Sequence, residues 1–213
     1  MGTSSRWRLR SVIGVTTSPR QTETLKRTEA SLNNAGFNKL HLFEDSKANA
    51  WKNWFYALKQ LRKDYDQPYY GIVQDDIILC KNVDQYLYYN TPSGADCFSI
   101  FCPTDYRGLS RWNRQDHYGA KLWMAQTFFF TADATDSILS SEEVWRVPGD
   151  RAIDNRVGLW AKYNDRSVYY HTPSLVQHVG YTSTLWPGEQ IKYNRAASDF
   201  VGEDFDALRL LET

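Results

Sequence analysis

Short apolar runs punctuate the first eighty residues of the chain. The segments Ser11–Thr16, "KLHLFED" and "YYGIVQDDIILC" are typical of buried strands. Between the second and third runs, large apolar residues recur at the i, i+3, i+4 and i+7 spacing of an amphipathic helix: Trp51, Trp54, Phe55, Leu58 and Leu61. These alternating signals predict strands and helices in turn.

The segment "TTSPRQTETLKRTEASLNNAG" carries the signals of an earlier helix. Thr17 or Ser18 is suited to the N-cap, Pro19 to the first helical position, and Gly36 to the C-terminal stop. The resulting order of strand, helix, strand, helix and strand predicts a parallel sheet covered by helices.

The second half of the chain is less regular. Strands are predicted in "ADCFSIFC", "AKLWMAQTFFFT" and "SVYYHTP", and the polar, aromatic segment "PTDYRGLSRWNRQDHYG" between the first two reads as a loop. Helices are predicted at Ala132–Ser140 and from about Asp150 to Lys162. Since no repeat or linker divides the chain, we predict one α/β, Rossmann-like domain over residues 1–213 with a mostly parallel central sheet.

Charge and composition narrow the classes of partner. The chain has 25 basic and 25 acidic residues, so no general electrostatic attraction to nucleic acid or to an anionic membrane is expected. No segment approaches the roughly 20 apolar residues of a membrane span, and "VIGV" is too short for a signal peptide. Three cysteines in no metal-binding spacing favour a reducing, cytoplasmic location.

Polar residues follow each of the first three predicted strands. Ligands of parallel sheets bind beyond the carboxyl ends of the strands, so we expect three segments to converge there: Thr16 to Arg20, Glu44 with Asp45, and Gln74 to Asp76. Adjacent carboxylates at such an edge suit Mg²⁺ or Mn²⁺. The structural alternative is a turn in which an aspartate caps the next segment.

His178, in "PSLVQHVG", is a candidate to complete a metal site with Asp76. We interpret His41, His117 and His171 as structural residues, because nothing around them in the sequence suggests a ligand.

The segment "PGDRAIDNRVGLW" supplies the candidate general bases. Asp150 begins a predicted helix, and Asp154 follows one turn later. Capping, or pairing with Arg151 and Arg156, explains both carboxylates equally well, and spacing does not choose between these roles.

The surplus of aromatic residues favours a sugar-stacking role for some of them. The candidates are Tyr106, Trp112, Trp160 and Trp186, each with core packing as its alternative. The loop arginines Arg107, Arg111 and Arg114 are candidate phosphate clamps or ordinary surface residues.

Five segments, taken in order, resemble the nucleotide-sugar glycosyltransferases of the GT-A fold: "VTTSPR", "FEDS", "QDD", "GD...D" and "PSLVQHVG". The resemblance covers nearly the whole chain. The resemblance implies that Asp76, at the end of a DXD-like step, and His178 ligate Mn²⁺ or Mg²⁺. It implies donor-binding roles for seven residues: Thr16, Thr17, Arg20, Asp45, Asn53, Gln74 and Asp75. Gln74 departs from the family pattern, which has aspartate at the first DXD position.

The resemblance also implies a catalytic base at Asp150, with Asp154 as the alternative, and an inverting transfer from a UDP-sugar to a glycan or glycoprotein. It divides the chain into a nucleotide-binding part at about 10–100 and an acceptor part at about 101–213, in a monomer or a longer multidomain protein. Two alternatives stay open. One is a glycan-binding module with a structural Ca²⁺. The other is a sugar nucleotidyltransferase, and the lack of a Gly-rich phosphate loop after the first predicted strand argues against it.

Overall fold

The structure is a computed structural model of the chain. It describes residues 11–18, 22–46, 49–103, 106, 110–115, 122, 124–142, 144, 153–180 and 196–212. The strands are β1 (Ser11–Thr17), β2 (Leu40–Glu44), β3 (Tyr69–Gln74), β4 (Ile77–Leu79), β5 (Cys97–Ser99), β6 (Trp112–Gln115), β7 (Thr127–Thr131), β8 (Val168–His171) and β9 (Val176–His178). The helices are α1 (Thr22–Asn34), α2 (Ala50–Asp64), α3 (Val83–Asn90), α4 (Ala132–Ser140) and α5 (Ile153–Tyr163), with a 3₁₀ helix at Ala207–Leu211.

In the described part of the chain, seven strands form one sheet in the order β2-β1-β3-β7-β5-β8-β6. The pairs β1–β2, β1–β3 and β5–β8 are parallel, and β3–β7, β5–β7 and β6–β8 are antiparallel. The predicted α/β architecture is confirmed. Its parallel half is β2-β1-β3, and the antiparallel pairs of the second half make the sheet mixed.

The segment "YYGIVQDDIILC" forms two strands in two different sheets. β3 ends at Gln74, the chain bends at Asp75 and Asp76, and β4 then pairs with β9 in a small antiparallel sheet. The prediction of a single strand over this segment is therefore wrong, because the bend turns the chain out of the large sheet before the second apolar run begins.

Two other predictions need correction. The segment predicted as a polar loop contains β6, which pairs with β8, and its Trp112 packs edge-on against Phe98 and His171. Thr17 belongs to β1 and is not an N-cap. Pro19 lies outside the described residues, whereas Gly36 ends α1 as predicted, with a φ of 99° that glycine adopts without strain.

The large sheet separates two apolar clusters. One cluster joins Ile72 and Phe128 of the sheet to the apolar stripe of α2 and to Trp160 of α5. The other joins Val73 and Phe129 to Leu32 of α1 and to α3. All five apolar residues predicted to form the inner face of α2 are buried, which confirms that amphipathic pattern. The side chains of Cys80, Cys97 and Cys102 are buried as thiols.

Hydroxyl groups of α1 hold β4 on the side away from β9. Thr28 Oγ1 donates to Ile77 O at 2.9 Å and accepts from Ile77 N at 3.1 Å. Ser31 Oγ bonds Leu79 O and N in the same way, at 3.3 and 2.7 Å. A helix thus supplies the backbone partners that a neighbouring strand would otherwise provide.

His171 is fully buried as a neutral imidazole in this core. Its Nδ1 lies 2.6 Å from Pro173 O, so this nitrogen carries the proton, and its Nε2 accepts from Tyr86 Oη at 2.7 Å. Burial lowers the pKa of His171 to about 3 and raises the pKa of Tyr86 to about 12. The structural role predicted for His171 is confirmed.

The depressed pKa of His171 predicts an acid-sensitive fold. Between the folded pKa and the ordinary value near 6.5, the unfolded chain binds a proton that the native state does not. Stability therefore falls as the pH drops below about 6.5, by at most about 1.4 kcal/mol per pH unit from this group. Urea unfolding at pH 7, 6 and 5 should show a smaller pH dependence for His171→Gln than for the wild type.

His41→Gln is the matched control, since it leaves His171 in place and should keep the wild-type difference between pH 7 and 5. Equal pH dependence in His171→Gln and the wild type would contradict a buried neutral His171.

Candidate functional site

The register of β1, β2 and β3 brings the predicted polar segments to one end of the sheet. Thr16 lies opposite Gln74 on β3 and Phe43 on β2, and Thr17 lies opposite Glu44. Asp45 N donates to Thr17 O at 2.8 Å. The expected convergence is confirmed for these residues. We call Thr16, Thr17, Gln74, Asp75 and Asp76 the strand-end cluster; Arg20 lies outside the described residues.

Asp75 is held by the end of β1. Thr17 Oγ1 donates to Asp75 Oδ2 at 2.5 Å, and Ser18 N lies 3.4 Å from the same oxygen. Burial raises the pKa of Asp75, the Thr17 hydrogen bond opposes that rise, and the neighbouring charge of Asp76 adds to it. The β1 hydrogen bonds therefore favour the ionised carboxylate in a place where desolvation disfavours it.

Asp76 contacts His178 across the small sheet. The β4–β9 pairing sets Ile77 opposite His178, and His178 Nε2 lies 3.0 Å from Asp76 Oδ2. The His178 side chain is 4% exposed and that of Asp76 is 14% exposed. The two residues predicted as metal ligands are therefore adjacent, although 102 positions separate them in the sequence.

No described residue satisfies the second carboxylate oxygen of Asp76. Asp76 Oδ1 is buried and has no hydrogen-bond partner among the residues that the structure describes. A Cβ on Gly180 would lie 2.7 Å from Asp76 Oδ2, so only glycine leaves room for this carboxylate. An oxygen of this kind needs a cation, a donor or water, because an unpartnered buried carboxylate oxygen is costly.

The donor set fits a divalent cation that completes its coordination with a substrate. A carboxylate and an imidazole suit Mn²⁺, and Mg²⁺ is commonly held by one or two carboxylates with phosphate and water oxygens. Among the described residues, no group of three or more histidine, cysteine or acidic side chains is placed to hold a metal. Asp76 and His178 alone therefore do not form a closed structural site.

The remaining predicted donor-binding residues support the backbone near the same end of the sheet. Asn53 Nδ2 donates to Phe43 O at 2.8 Å and so connects α2 to the end of β2. Asp45 follows β2 directly and is half-buried. Their predicted contacts with a nucleotide stay predictions.

Asp154 has a backbone partner next to β7. Its Oδ2 accepts from Met124 N at 2.9 Å, and its Oδ1 accepts from Asn155 N at 2.9 Å. Met124 has a φ of 75°, so this carboxylate supports an unusual backbone turn. Arg156 lies over the Trp51 ring at 4.8 Å. Asp150 and Arg151 lie outside the described residues.

Most of the aromatic candidates for sugar stacking serve the core. Trp160 is fully buried between Phe130 and the Ser137 hydroxyl, so a stacking role for it is wrong. Trp112 packs on His171 and donates to Asn90 O at 2.5 Å, and Tyr106 packs on Tyr170. The stacking candidate Trp186 lies outside the described residues, as do Arg107, a candidate phosphate clamp, and His117, interpreted as structural.

The sequence interpretation missed Gln126, which belongs to the same end of the sheet. Gln74 N donates to Gln126 O at 3.1 Å, which extends the β3–β7 pairing by one residue. The available signal was alternation: in "QTFFFT", Gln126 occupies the phase of Phe128 and Phe130. A polar residue in an inward phase at a strand end indicates a site.

Comparisons with known proteins support the fold. A197 from STIV superposes with a TM-score of 0.50 at 14% identity, over 82% of this chain and 87% of that one. A glycosyltransferase involved in the glycosylation of the major capsid of PBCV-1 gives a TM-score of 0.46 at 11% identity, over 81% and 95%. No family model and no curated protein sequence matches the chain. No described helix is long and apolar enough to cross a membrane.

The Thr17–Asp75 hydrogen bond predicts a pH-dependent loss of stability on mutation. Thr17→Val keeps the side-chain shape and removes the donor, so we expect a loss of about 1.5–3 kcal/mol at neutral pH, the usual range for a hydrogen bond to a charged group. The bond favours ionised Asp75, so the loss should shrink in acid as the carboxyl is protonated. Urea unfolding across pH 4–8 measures both effects.

Thr16→Val is the matched control. Thr16 Oγ1 donates to the neutral Val73 O at 3.1 Å, so its loss should cost about 0.5–1.5 kcal/mol at every pH. A Thr17→Val penalty that is equally small and independent of pH would contradict the role of Thr17.

Proposed function

We propose that the chain is a metal-dependent, inverting glycosyltransferase of the GT-A fold that uses a UDP-sugar. The observation that carries the proposal is Asp76, whose carboxylate contacts His178 with one oxygen, while the other oxygen is buried with no partner among the described residues, just beyond the carboxyl end of β3. A strand-end carboxylate with an unused oxygen is suited to share a cation with an anionic substrate.

The strand-end cluster provides the donor side of the site. Thr16, Thr17 and Asp45 end two parallel strands where a nucleotide binds in sheets of this kind, and the sequence resemblance assigns them to it together with Arg20 and Asn53. Gln74 and Asp75 offer an amide and a carboxylate for the ribose or the transferred sugar. The transferred sugar is a hexose or a 6-deoxyhexose, such as glucose or rhamnose.

Asp76 and His178 would hold the Mn²⁺ or Mg²⁺ ion, with the remaining positions filled by diphosphate and water oxygens. When bound, the ion neutralises the charge that develops on the departing UDP. The residues of the chain prepare this site in advance: Gly180 leaves space for Asp76, and β9 fixes His178 beside it.

A carboxylate near the start of α5 would remove the proton of the acceptor hydroxyl as that hydroxyl attacks the anomeric carbon. The resemblance favours Asp150. Asp154 is the alternative, and its two backbone hydrogen bonds suit it better to a supporting role. One base on the face opposite the leaving group gives inversion.

The acceptor proposal rests on the sequence resemblance. This resemblance is to the N-terminal domain of the large chlorovirus glycosyltransferase linked to capsid glycans. We therefore propose a glycan or glycoprotein acceptor, of the viral capsid type, and a cytoplasmic site of action in a host cell. The burial of Trp160, and the packing of the partly buried Trp112 on His171, weaken the alternative of a glycan-binding module, which needs accessible rings.

Metal-dependent nucleotide binding tests the proposal. We expect UDP to bind the wild type in the presence of Mn²⁺ and at least about tenfold more weakly without it, because the ion links Asp76 to the diphosphate. Asp76→Asn should reduce the affinity to the metal-free level. Isothermal titration calorimetry with and without Mn²⁺ measures these affinities.

Asp66→Asn, in the exposed connection before the other end of β3, is the matched control and should bind like the wild type. Absence of UDP binding by the folded wild type overturns the proposed function. Binding of a free glycan without UDP affinity would instead support the glycan-binding module.

Replacement of the base separates binding from transfer. Asp150→Ala should lower the transfer rate roughly 10²- to 10⁴-fold, the range typical for loss of a general base, and leave UDP-sugar affinity unchanged. Asp154→Ala serves as the comparison in a coupled assay of UDP release. If Asp154→Ala rather than Asp150→Ala abolishes transfer with binding intact, the assignment of the base to Asp150 is wrong.

A further inference from the structure

Gln126 has a buried amide group whose oxygen no described residue satisfies. The residue is 4% exposed, and its Oε1 is buried without a hydrogen-bond partner in the part of the chain that the structure describes. Its Nε2 lies 3.9 Å from Met124 Sδ, which is a weak acceptor. Because an unpaired buried acceptor is destabilising, such a group in a native protein calls for an explanation.

The position of Gln126 connects this amide to the strand-end cluster. Gln74 and Gln126 lie opposite each other, one step beyond the Val73–Thr127 pair of β3 and β7. Cross-strand partners in an antiparallel pair project from the same face of the sheet. The two glutamine side chains are therefore neighbours on one face, immediately before Asp75 and Asp76.

Gln74 and Gln126 project from the face of the sheet opposite to the one on which Asp75 is bound. Gln74 and Gln126 continue the phase of Ile72 and Phe128, which pack in the core cluster beneath α2 and α5. Asp75 bonds Thr17 on the opposite face, where Val73 packs. The two glutamines therefore lie on the side of the sheet that packs against α5, the helix that carries Asp154.

Asp154 ties this helix to the same place. Its Oδ2 accepts from Met124 N, two residues before Gln126, so the start of α5 is fixed to the segment that leads into β7. A group bound beside the two glutamines would therefore lie between the strand-end cluster and the first turn of α5. In a transferase, the reacting sugar occupies the space between its leaving group and its base.

We propose that Gln126, together with Gln74, binds the transferred sugar of the nucleotide donor, with Gln126 Oε1 accepting a hydrogen bond from a sugar hydroxyl. This inference rests on the proposed function and extends it to a residue that determines sugar specificity. A buried acceptor that no described residue satisfies discriminates between sugars, because a sugar without the matching hydroxyl leaves the acceptor unpaired.

Replacement of the amide by a thioether tests the inference. Gln126→Met keeps the length of the side chain and removes both polar atoms. If Oε1 serves a ligand, the variant should melt about 2–4 °C higher than the wild type, because an unsatisfied group is lost. UDP affinity with Mn²⁺ should stay unchanged, and affinity for the preferred UDP-sugar should fall about threefold to tenfold, as for one lost hydrogen bond.

The probes are UDP, UDP-glucose, UDP-galactose and UDP-rhamnose, each titrated calorimetrically with Mn²⁺ into the wild type and the variant. Gln67→Met is the matched control, since Gln67 precedes the opposite end of β3 and should leave every affinity unchanged. The ratio of UDP-sugar to UDP affinity isolates the contribution of the sugar.

The outcomes separate this inference from the proposed function. Failure of the wild type to bind UDP overturns the proposed function, and the sugar role falls with it. Unchanged affinity of Gln126→Met for every UDP-sugar, with UDP binding intact, overturns the inference alone. A parallel loss of UDP and UDP-sugar affinity, or a lower melting temperature, assigns Gln126 a structural role and also overturns it.

Discussion

The fold depends on how the chain accommodates two adjacent carboxylates where it leaves the large sheet. Asp75 and Asp76 lie at the bend between β3 and β4, and each is held by a residue that is distant in the sequence, Thr17 and His178 respectively. Buried carboxylates tolerate such a position only with partners. The bend thus fixes three segments relative to one another: the end of β1, β4 and β9.

Helix α1 stabilises the small sheet of β4 and β9. Three residues of β4 pair with β9 on one side, and Thr28 and Ser31 of α1 bond the Ile77 and Leu79 backbone on the other. A sheet of two short strands has little stability of its own. The hydroxyl groups of Thr28 and Ser31 complete the backbone hydrogen bonding of β4 and so help to keep His178 opposite Ile77. The position of the candidate metal ligands therefore depends on Thr28 and Ser31, two hydroxyl residues of a neighbouring helix.

The sequence predicts the strand-end cluster better than the surroundings of α5 and β7. The ends of β1, β2 and β3 converge as expected, because parallel strands place their carboxyl ends at one edge whatever their side chains are. The stacking role predicted for Trp160 is wrong, because the spacing of apolar residues shows that a helix face is buried but does not show which residues pack against it. Gln126 was missed for a related reason: its importance depends on the antiparallel pairing of β3 with β7.

The sequence by itself determined the local elements, since periodicity and helix-stop chemistry act within a few residues: the buried stripe of α2, the end of α1 at Gly36, and the polar residues that close each parallel strand. Only the tertiary structure decided the antiparallel half of the sheet, the strand β6 within a polar segment, and the contact of Asp76 with His178. These depend on register between distant segments, which the complementary packing of whole faces selects and which no local pattern records.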